Sequence, residues 1–411
     1  MPRPPEPARA DPIPELPLEQ LAGGPLATLE RRPLRPYAPE ALAFLGALSR
    51  TLLASPACRS HPDVVAFAYW CRPAHLARLA EAFVDGQQRL GRGLTLHVAP
   101  ANVPINFAFS MAFGLLAGNP NLVRVPESLP VQAALVCRAI AELFDDPAHG
   151  RVASMNRLMR YPRDDAITLA LSAQCQARVL WGGDQTIAHL RAMPVPARCV
   201  ELSFADRYSL CLLDAVAVGE TDDAALAALA EAFFRDAYLL DQNACSSPHL
   251  VLWHGSDTEA QAAQARFWPA LATCVSNRYA LSAVHAVDKL ATTCRMAVDL
   301  PEIQGCIRHT NSIYRLPLAT LPADVAAHRG SHGLFLEHAT KDLDSLGEIV
   351  SARYQTLTTF GIDREALAGR LQALGLAGID RIVPVGSALD IGVIWDGHDV
   401  VRTLSRIIAL Q

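Results

Sequence analysis

Leu94-Thr95-Leu96-His97-Val98 runs into Ala99-Pro100-Ala101-Asn102-Val103-Pro104 and then into the apolar stretch Phe107 to Ala117. The first five residues predict a strand, the proline-bracketed turn ends it, and the stretch that follows predicts a buried helix. Outward from this unit the pattern repeats. It predicts a helix over 104–117, a strand over 121–125, a helix over 130–144 and a candidate strand from Ala166 to Leu171. A strand over 178–181, a helix over 184–192 and strands around 198–202 and 208–214 complete the series. Such alternation predicts an α/β fold in which a mostly parallel sheet is covered by helices on both faces.

A second α/β block opens with a helix over 222–240 and continues with mixed helices and strands to about 350. The last sixty residues hold strand-like Arg381-Ile382-Val383-Pro384-Val385 and a predicted closing helix from Val400 to Leu410. Ahead of the first strand, helical patterning covers Ala41 to Leu53 and Pro73 to Gly91. Eleven of the 29 prolines fall between Pro2 and Pro39, which predicts an extended or surface-wrapping arm. No internal repeat is evident.

Composition narrows the function classes. The 411 residues suit two or three domains, with 51% apolar and 19% charged side chains. A formal charge of -5 gives no support for binding nucleic acid or an acidic membrane surface. The stretch Phe107 to Ala117 is far short of the ~20 residues that span a bilayer. The ten cysteines form no Cys-x-x-Cys pair, and no His-Glu-x-x-His occurs, so no metal site is expected. Cys137 and Cys211 sit in apolar runs and are expected in the core of a reduced protein. Met1-Pro2-Arg3-Pro4 begins a segment without an apolar core, which predicts no secretory signal and a cytoplasmic location.

Four segments can carry chemistry. In Asp241-Gln242-Asn243-Ala244-Cys245-Ser246-Ser247, Cys245 lies between the predicted helix and the strand-like His249 to Trp253. A thiolate there is a nucleophile, whereas a buried structural cysteine is the alternative. Asn102, fixed between Pro100 and Pro104, can aim its amide at a developing oxyanion or simply make an Asx turn. Glu201, in Cys199-Val200-Glu201-Leu202-Ser203, can act as a base, or be one half of a salt bridge. Gly182 and Gly183, between a strand and a helix, can bring backbone N–H groups to a phosphate, although Asp184 can also be a plain N-cap.

Together with Gly114-Leu115-Leu116-Ala117-Gly118-Asn119 and Trp395-Asp396-Gly397, these segments resemble the aldehyde dehydrogenase superfamily, and within it the LuxC-type fatty-acyl-CoA reductases. The resemblance implies a Rossmann-like cofactor domain over 41–215, a catalytic domain over 216–350 and a C-terminal segment over 351–411 that packs back, with residues 1–40 as the arm. It implies Cys245 as the acyl-accepting thiol, Asn102 as the oxyanion donor, Glu201 as the catalytic carboxylate, Gly182 and Gly183 beside the cofactor pyrophosphate, and Pro100 as a further cofactor-binding residue. Arg124 stands where the superfamily often has a lysine near the adenosine ribose. Its planar fork suits a 2′-phosphate and hence NADPH. Departures are Ala101 for a common glycine and Asn243 for a common glutamine. The activity implied is NADPH-dependent reduction of an acyl-CoA or acyl-protein thioester to the aldehyde. Aldehyde oxidation with NAD(P) and a nucleotide-independent cysteine acyl carrier or thioesterase are the alternatives. An acyl-activating synthetase partner and a homo-oligomer are further expectations.

Overall fold

The computed structural model describes residues 13–100 and 103–410. The chain divides after Ala205 and again after Gly397: Asp206–Gly397 forms one compact unit, and the residues before and after it form the other. The first boundary falls ten residues ahead of the expected 215, and most of the expected C-terminal segment belongs to the second unit. Strand pairing explains both differences. The strand Tyr208–Asp214 hydrogen-bonds to strands that lie later in the chain, and Arg381–Pro384 hydrogen-bonds to Tyr354–Phe360 in the same sheet.

In the first unit, the strands are β1 (Glu19–Ala22), β2 (Gln88–Gly91), β3 (Thr95–Val98), β4 (Asn121–Arg124), β5 (Asn156–Arg160), β6 (Ala177–Trp181) and β7 (Val200–Phe204). Six of them form a sheet of order β1-β5-β4-β3-β6-β7, parallel except for β1. The chain winds outward from β3 to β5, returns to β6 beside β3, and continues to β7. That reversal makes the β3/β6 crevice the topological switch point of a doubly wound sheet. Leu96, Val98, Leu122 and Leu180 pack with Ile167, Leu171, Ile187 and Leu190 of two covering helices, Asp165–Ser172 and Asp184–Arg191. The helix Asn106–Leu116 is buried along its whole length, as its apolar sequence requires.

The proline-rich segment wraps this unit. Ile13, Leu26 and Leu29 enter the core, β1 adds an antiparallel edge to β5, and Leu34 N–H donates to Gly118 O at 2.7 Å. The Gly114 to Asn119 motif is explained by close approach. A Cβ at Gly114 would lie 2.0 Å from Asn121 Oδ1, and Gly118 has φ +85° with Leu34 O at 2.1 Å from a Cβ. Beneath Gly114 runs a buried polar chain: Trp181 Nε1 donates to Ser110 Oγ (3.0 Å), which meets His97 Nδ1 (2.7 Å), while His97 Nε2 meets Asn121 Oδ1 (2.9 Å). Burial pushes the His97 pKa down to about 4, so the ring is neutral at pH 7.

In the second unit, β8 (Tyr208–Asp214), β9 (Pro248–His254), β10 (Ile307–Thr310), β11 (Ile313–Pro317), β12 (Leu334–Thr340), β13 (Tyr354–Phe360) and β14 (Arg381–Pro384) form a sheet of order β10-β11-β12-β9-β8-β13-β14. All pairs are parallel except β10 with β11. Successive side chains alternate between two cores. Cys211, Leu213, Val251, Trp253 and Phe335 face the helices Asp223–Tyr238 and Asp257–Ser276, whereas Leu210, Leu212, Leu250, Leu252 and Leu336 join Met296, Leu367 and Leu371. Burial on both faces is why these strands read as unbroken apolar runs.

Three expected elements differ. Ala166 to Leu171 is helical, not a strand: the Asp164 side chain caps it by accepting from the N–H groups of Ala166 and Ile167. The strand in this part of the chain is β5. The helix from Pro73 ends at Phe83, before a turn with Gly86 at φ +74°. The closing helix spans only Val400–Thr403, after which Ser405–Ile408 pairs antiparallel with β2.

Gly114→Ala is expected to destabilise the protein by about 1–3 kcal/mol through overpacking. Gly369→Ala, in a helix with open space around a new Cβ, is expected to be neutral or stabilising. Denaturant midpoints of the two variants check the pair.

Candidate active site

The Cys245 loop joins the helix Asp223–Tyr238 to the amino end of β9. Asp241 and Gln242 both adopt left-handed backbone (φ +52° and +62°), a conformation that non-glycine residues hold only under constraint. Gln242 supplies that constraint. Its buried amide donates to Pro248 O (2.9 Å) and Leu334 O (3.0 Å), and accepts from Gly333 N (3.1 Å) and Leu334 N (3.3 Å). Asp241 O accepts from His332 N, and the Asp241 carboxylate accepts from Tyr279 OH at 2.5 Å. Ser247 Oγ donates to Asp236 O at 2.7 Å, closing the loop onto the helix it leaves.

Cys245 is partly accessible. Its Sγ accepts from Gln355 Nε2 at 3.3 Å, and its carbonyl accepts from Ser209 Oγ at 2.7 Å. Among the described residues its own N–H has no acceptor. Burial and then the Asp396 carboxylate push the thiol pKa up to about 11, against the opposing pull of the Gln355 hydrogen bond and of Arg329 and Arg207. The resting sulfur is therefore a protonated thiol at pH 7.

Both arginines are anchored in the same unit. Arg207 pairs with Asp380, while Arg329 pairs with Asp206 and lies 3.4 Å from His249 Nε2.

The segment Gly386 to Asp390 is tied to the same framework. Asp236 accepts from Gly386 N (2.6 Å) and Ala388 N (2.9 Å), and Arg381 donates to Ala388 O, Ser387 O and Asp390 O. Arg381 also lies 4.6 Å over the Trp395 ring, which holds Trp395-Asp396-Gly397 in place.

In the first unit, the register sets the other candidates along one edge. Val98 of β3 pairs with Arg124 of β4 and with Leu180 of β6. Pro100 and Gly182 therefore each lie two residues past a paired position, on either side of the switch-point crevice. Gly183 is the N-cap of the helix Asp184–Arg191, with nothing within 4 Å of where its Cβ would be. Arg124 ends β4, donating to Tyr161 O at 3.3 Å and lying 4.9 Å over the Tyr161 ring. An open glycine turn, a helix start and an arginine on one carboxyl edge fit a dinucleotide in their chemistry.

Glu201 is elsewhere on the sheet. It pairs across the strands with Arg178, near the start of β6, and its Oε2 accepts from Arg178 Nη2 (2.5 Å) and Nε (3.0 Å). It lies three residues before the end of β7, roughly 10 Å from the carboxyl edge. The geometry seen is that of the salt-bridged alternative. Asn102 falls outside the described residues. Among the described residues no three His, Cys, Asp or Glu side chains group as a metal site, and no helix is long and apolar enough to cross a membrane.

Gln355, Asp396, Asp236 and Arg381 carry contacts that sequence reasoning did not assign. The available signals were a glutamine opening an apolar strand and the Trp395-Asp396-Gly397 motif, to which no role was attached.

The family model described as acyl-CoA reductase (LuxC) matches residues 74–410. The chain belongs to the LuxC acyl-CoA reductase family. It is 28% identical over 174 residues to the long-chain acyl-protein thioester reductase of Vibrio harveyi, and 27% identical over 168 residues to that of Aliivibrio fischeri. These matches cover 41% and 40% of this chain, and 33% of each relative's length. Among solved structures it is similar to aldehyde dehydrogenase 21 of Physcomitrella patens, with a TM-score of 0.63, 12% identity, and coverage of 90% of this chain and 86% of that one. It is also similar to the Thermus 1-pyrroline-5-carboxylate dehydrogenase with bound NAD, with a TM-score of 0.59, 13% identity, and coverage of 90% and 79%. The resemblance drawn from the motifs and the aldehyde dehydrogenase-like α/β fold are both borne out.

Burial pushes the Asp236 carboxyl up to about 7, although its two N–H donors pull the other way. A carboxyl raised in the folded state stabilises it fully below the unfolded value of ~3.9, and that contribution is lost as pH rises through about 7. The stability difference between wild type and Asp236→Asn is expected to fall between pH 5 and 8, by on the order of a few kcal/mol. Denaturant titrations across that range measure it.

Proposed function

We propose that this protein reduces an acyl thioester, such as a fatty acyl-CoA, to the aldehyde with NADPH, through an acyl group carried on Cys245. The observation that carries the proposal is the Cys245 site itself. A partly accessible sulfur accepts an amide N–H and lies beside a backbone N–H that has no acceptor among the described residues, in a chain of the LuxC acyl-CoA reductase family.

The Cys245 thiolate attacks the acyl carbonyl carbon. The new C–S bond forms as the oxyanion accepts from the Cys245 N–H and the Asn102 side chain. The oxyanion then collapses, the substrate C–S bond breaks, and the departing thiolate takes a proton. A nicotinamide nucleotide, when bound, supplies the hydride that brings the acyl carbon to the aldehyde level. Cys245 Sγ then leaves as thiolate and the aldehyde is free. Pro100, Gly182 and Gly183 hold the nucleotide's pyrophosphate side, and Arg124 offers its fork to a 2′-phosphate. Glu201 serves proton transfer or orientation only by giving up Arg178, which assigns it the smaller part. The protein is proposed to act in the cytoplasm as a homo-oligomer, taking acyl groups from coenzyme A or from an acyl-activating protein partner. The names of the Vibrio and Aliivibrio relatives support a protein-bound acyl donor.

Cys245→Ala is expected to abolish acyl-CoA-dependent NADPH oxidation, followed at 340 nm with acyl chains of graded length, while NADPH binding is retained. Turnover by this variant would remove Cys245 from the mechanism. Arg124→Leu is expected to weaken NADPH by about tenfold or more and NADH little, in line with loss of one charge-assisted contact. Equal losses for the two nucleotides would refute the 2′-phosphate role.

A further inference from the structure

Gln355 is fully buried at the start of β13, 110 residues from Cys245 in sequence, and its Nε2 is 3.3 Å from Cys245 Sγ. A glutamine amide presents either a donor or an acceptor, and its orientation is fixed by what surrounds its two ends. Here both ends are specified. Nε2 also donates to the Asp396 carboxylate at 2.5 Å, which an oxygen in that position would repel. Oε1 accepts from Thr356 Oγ1 at 3.3 Å, and that hydroxyl accepts from Arg381 Nη1 at 3.3 Å. Hydrogen bonds from Arg381 through Thr356 to Gln355 thus all run in one direction, and they aim an N–H at the sulfur.

A neutral amide donor is of modest use to a thiol and of much more use to a thiolate, because hydrogen bonds to charged acceptors are about twice as strong. The groups around the sulfur are of both signs. Asp396 opposes a thiolate, and Arg207, Arg329 and Arg381 favour one. Of these arginines, Arg207 and Arg329 are ion-paired, and among the described residues the Gln355 N–H is the polar contact made directly to sulfur.

We propose that Gln355 is a catalytic residue of this site, whose Nε2–H stabilises the Cys245 thiolate, and that Asp396 and Thr356 are positioning residues that keep the amide donor facing sulfur. The proposal rests on Cys245 being the acyl-accepting thiol. It goes beyond that by naming what makes this sulfur reactive, and by giving the Trp395-Asp396-Gly397 motif a task.

The test reads the sulfur directly, without acyl substrate or nucleotide. The full-length protein is treated with iodoacetamide between pH 7 and 10, and modification of the Cys245 peptide is followed by mass spectrometry. Exposed Cys294 serves as internal standard and buried Cys211 reports folding. In the wild type, Cys245 modification should rise steeply with pH across the range. Gln355→Met, which keeps the side-chain length without the donor, should modify Cys245 about tenfold or more slowly at pH 8, the equivalent of losing one charged hydrogen bond. Gln355→Leu should behave alike if the longer side chain perturbs packing. A Cys245 rate within twofold of wild type in a variant whose Cys211 stays protected would overturn the proposal. That failure differs from failure of the proposed function: turnover by Cys245→Ala would sink the acyl-cysteine route while leaving the effect of Gln355 on the sulfur measured.

Discussion

The Gln242 amide makes four hydrogen bonds, to the start of β9 and to the start of β12, and the position of Cys245 follows from them. Two successive left-handed residues bring the chain off its helix in a direction that an unconstrained loop would abandon. The amide spans two adjacent parallel strands and makes the turn part of the sheet's own hydrogen bonding. Ser209 does the same from β8, donating to the Cys245 carbonyl and accepting from Thr356 of β13. The sulfur is thus held by groups from four neighbouring strands, which is the rigidity that a reacting atom needs.

The two sheets use opposite ends. In the first unit, the candidate nucleotide-binding residues line the carboxyl edge at the switch point, where doubly wound sheets commonly bind ligands. In the second, Cys245, Gln355 and Ser209 gather at the amino ends of β9, β13 and β8. That edge has no switch-point crevice prepared by the topology. The surroundings of the sulfur are instead built by side chains reaching across the loops, which explains why so many buried polar groups (Gln242, Gln355, Asp236, Ser247) gather there.

Much of this was legible because the strands are buried on both faces. Leu210 to Leu213 and Leu250 to Trp253 read as strands whichever way they turn, and so does β3 with its proline stop. The alternation Ile167-Thr168-Leu169-Ala170-Leu171 misled, because a short helix packed along one side of a sheet shows few turns of its period and Thr168 and Ile167 favour strands. The capping Asp164 was the stronger signal. Cys245 stands out in sequence by its place between a predicted helix and strand, whereas it is Gln242 and Ser247 that hold the turn. The contacts of Gln355 and Asp396 lay beyond reach: Gln355 meets the sulfur across 110 positions and Asp396 meets Gln355 across 41, and no local pattern marks contacts of that range.

A thiol held protonated at rest is a poor target for stray electrophiles, because the thiolate is the nucleophile. Burial and Asp396 keep the sulfur neutral, and Gln355, Arg207 and Arg329 lower the cost of ionising it without reversing the balance. Anything that further displaces water or adds positive potential beside the sulfur acts on that balance, because desolvation and charge enter with opposite signs. A cationic or strongly polarising group brought in with the substrates would shift the sulfur toward thiolate only once the site is filled. The same logic explains the pairing of a carboxylate with an amide beside the thiol. Asp396 fixes the donor's direction, while its charge opposes ionisation of the sulfur.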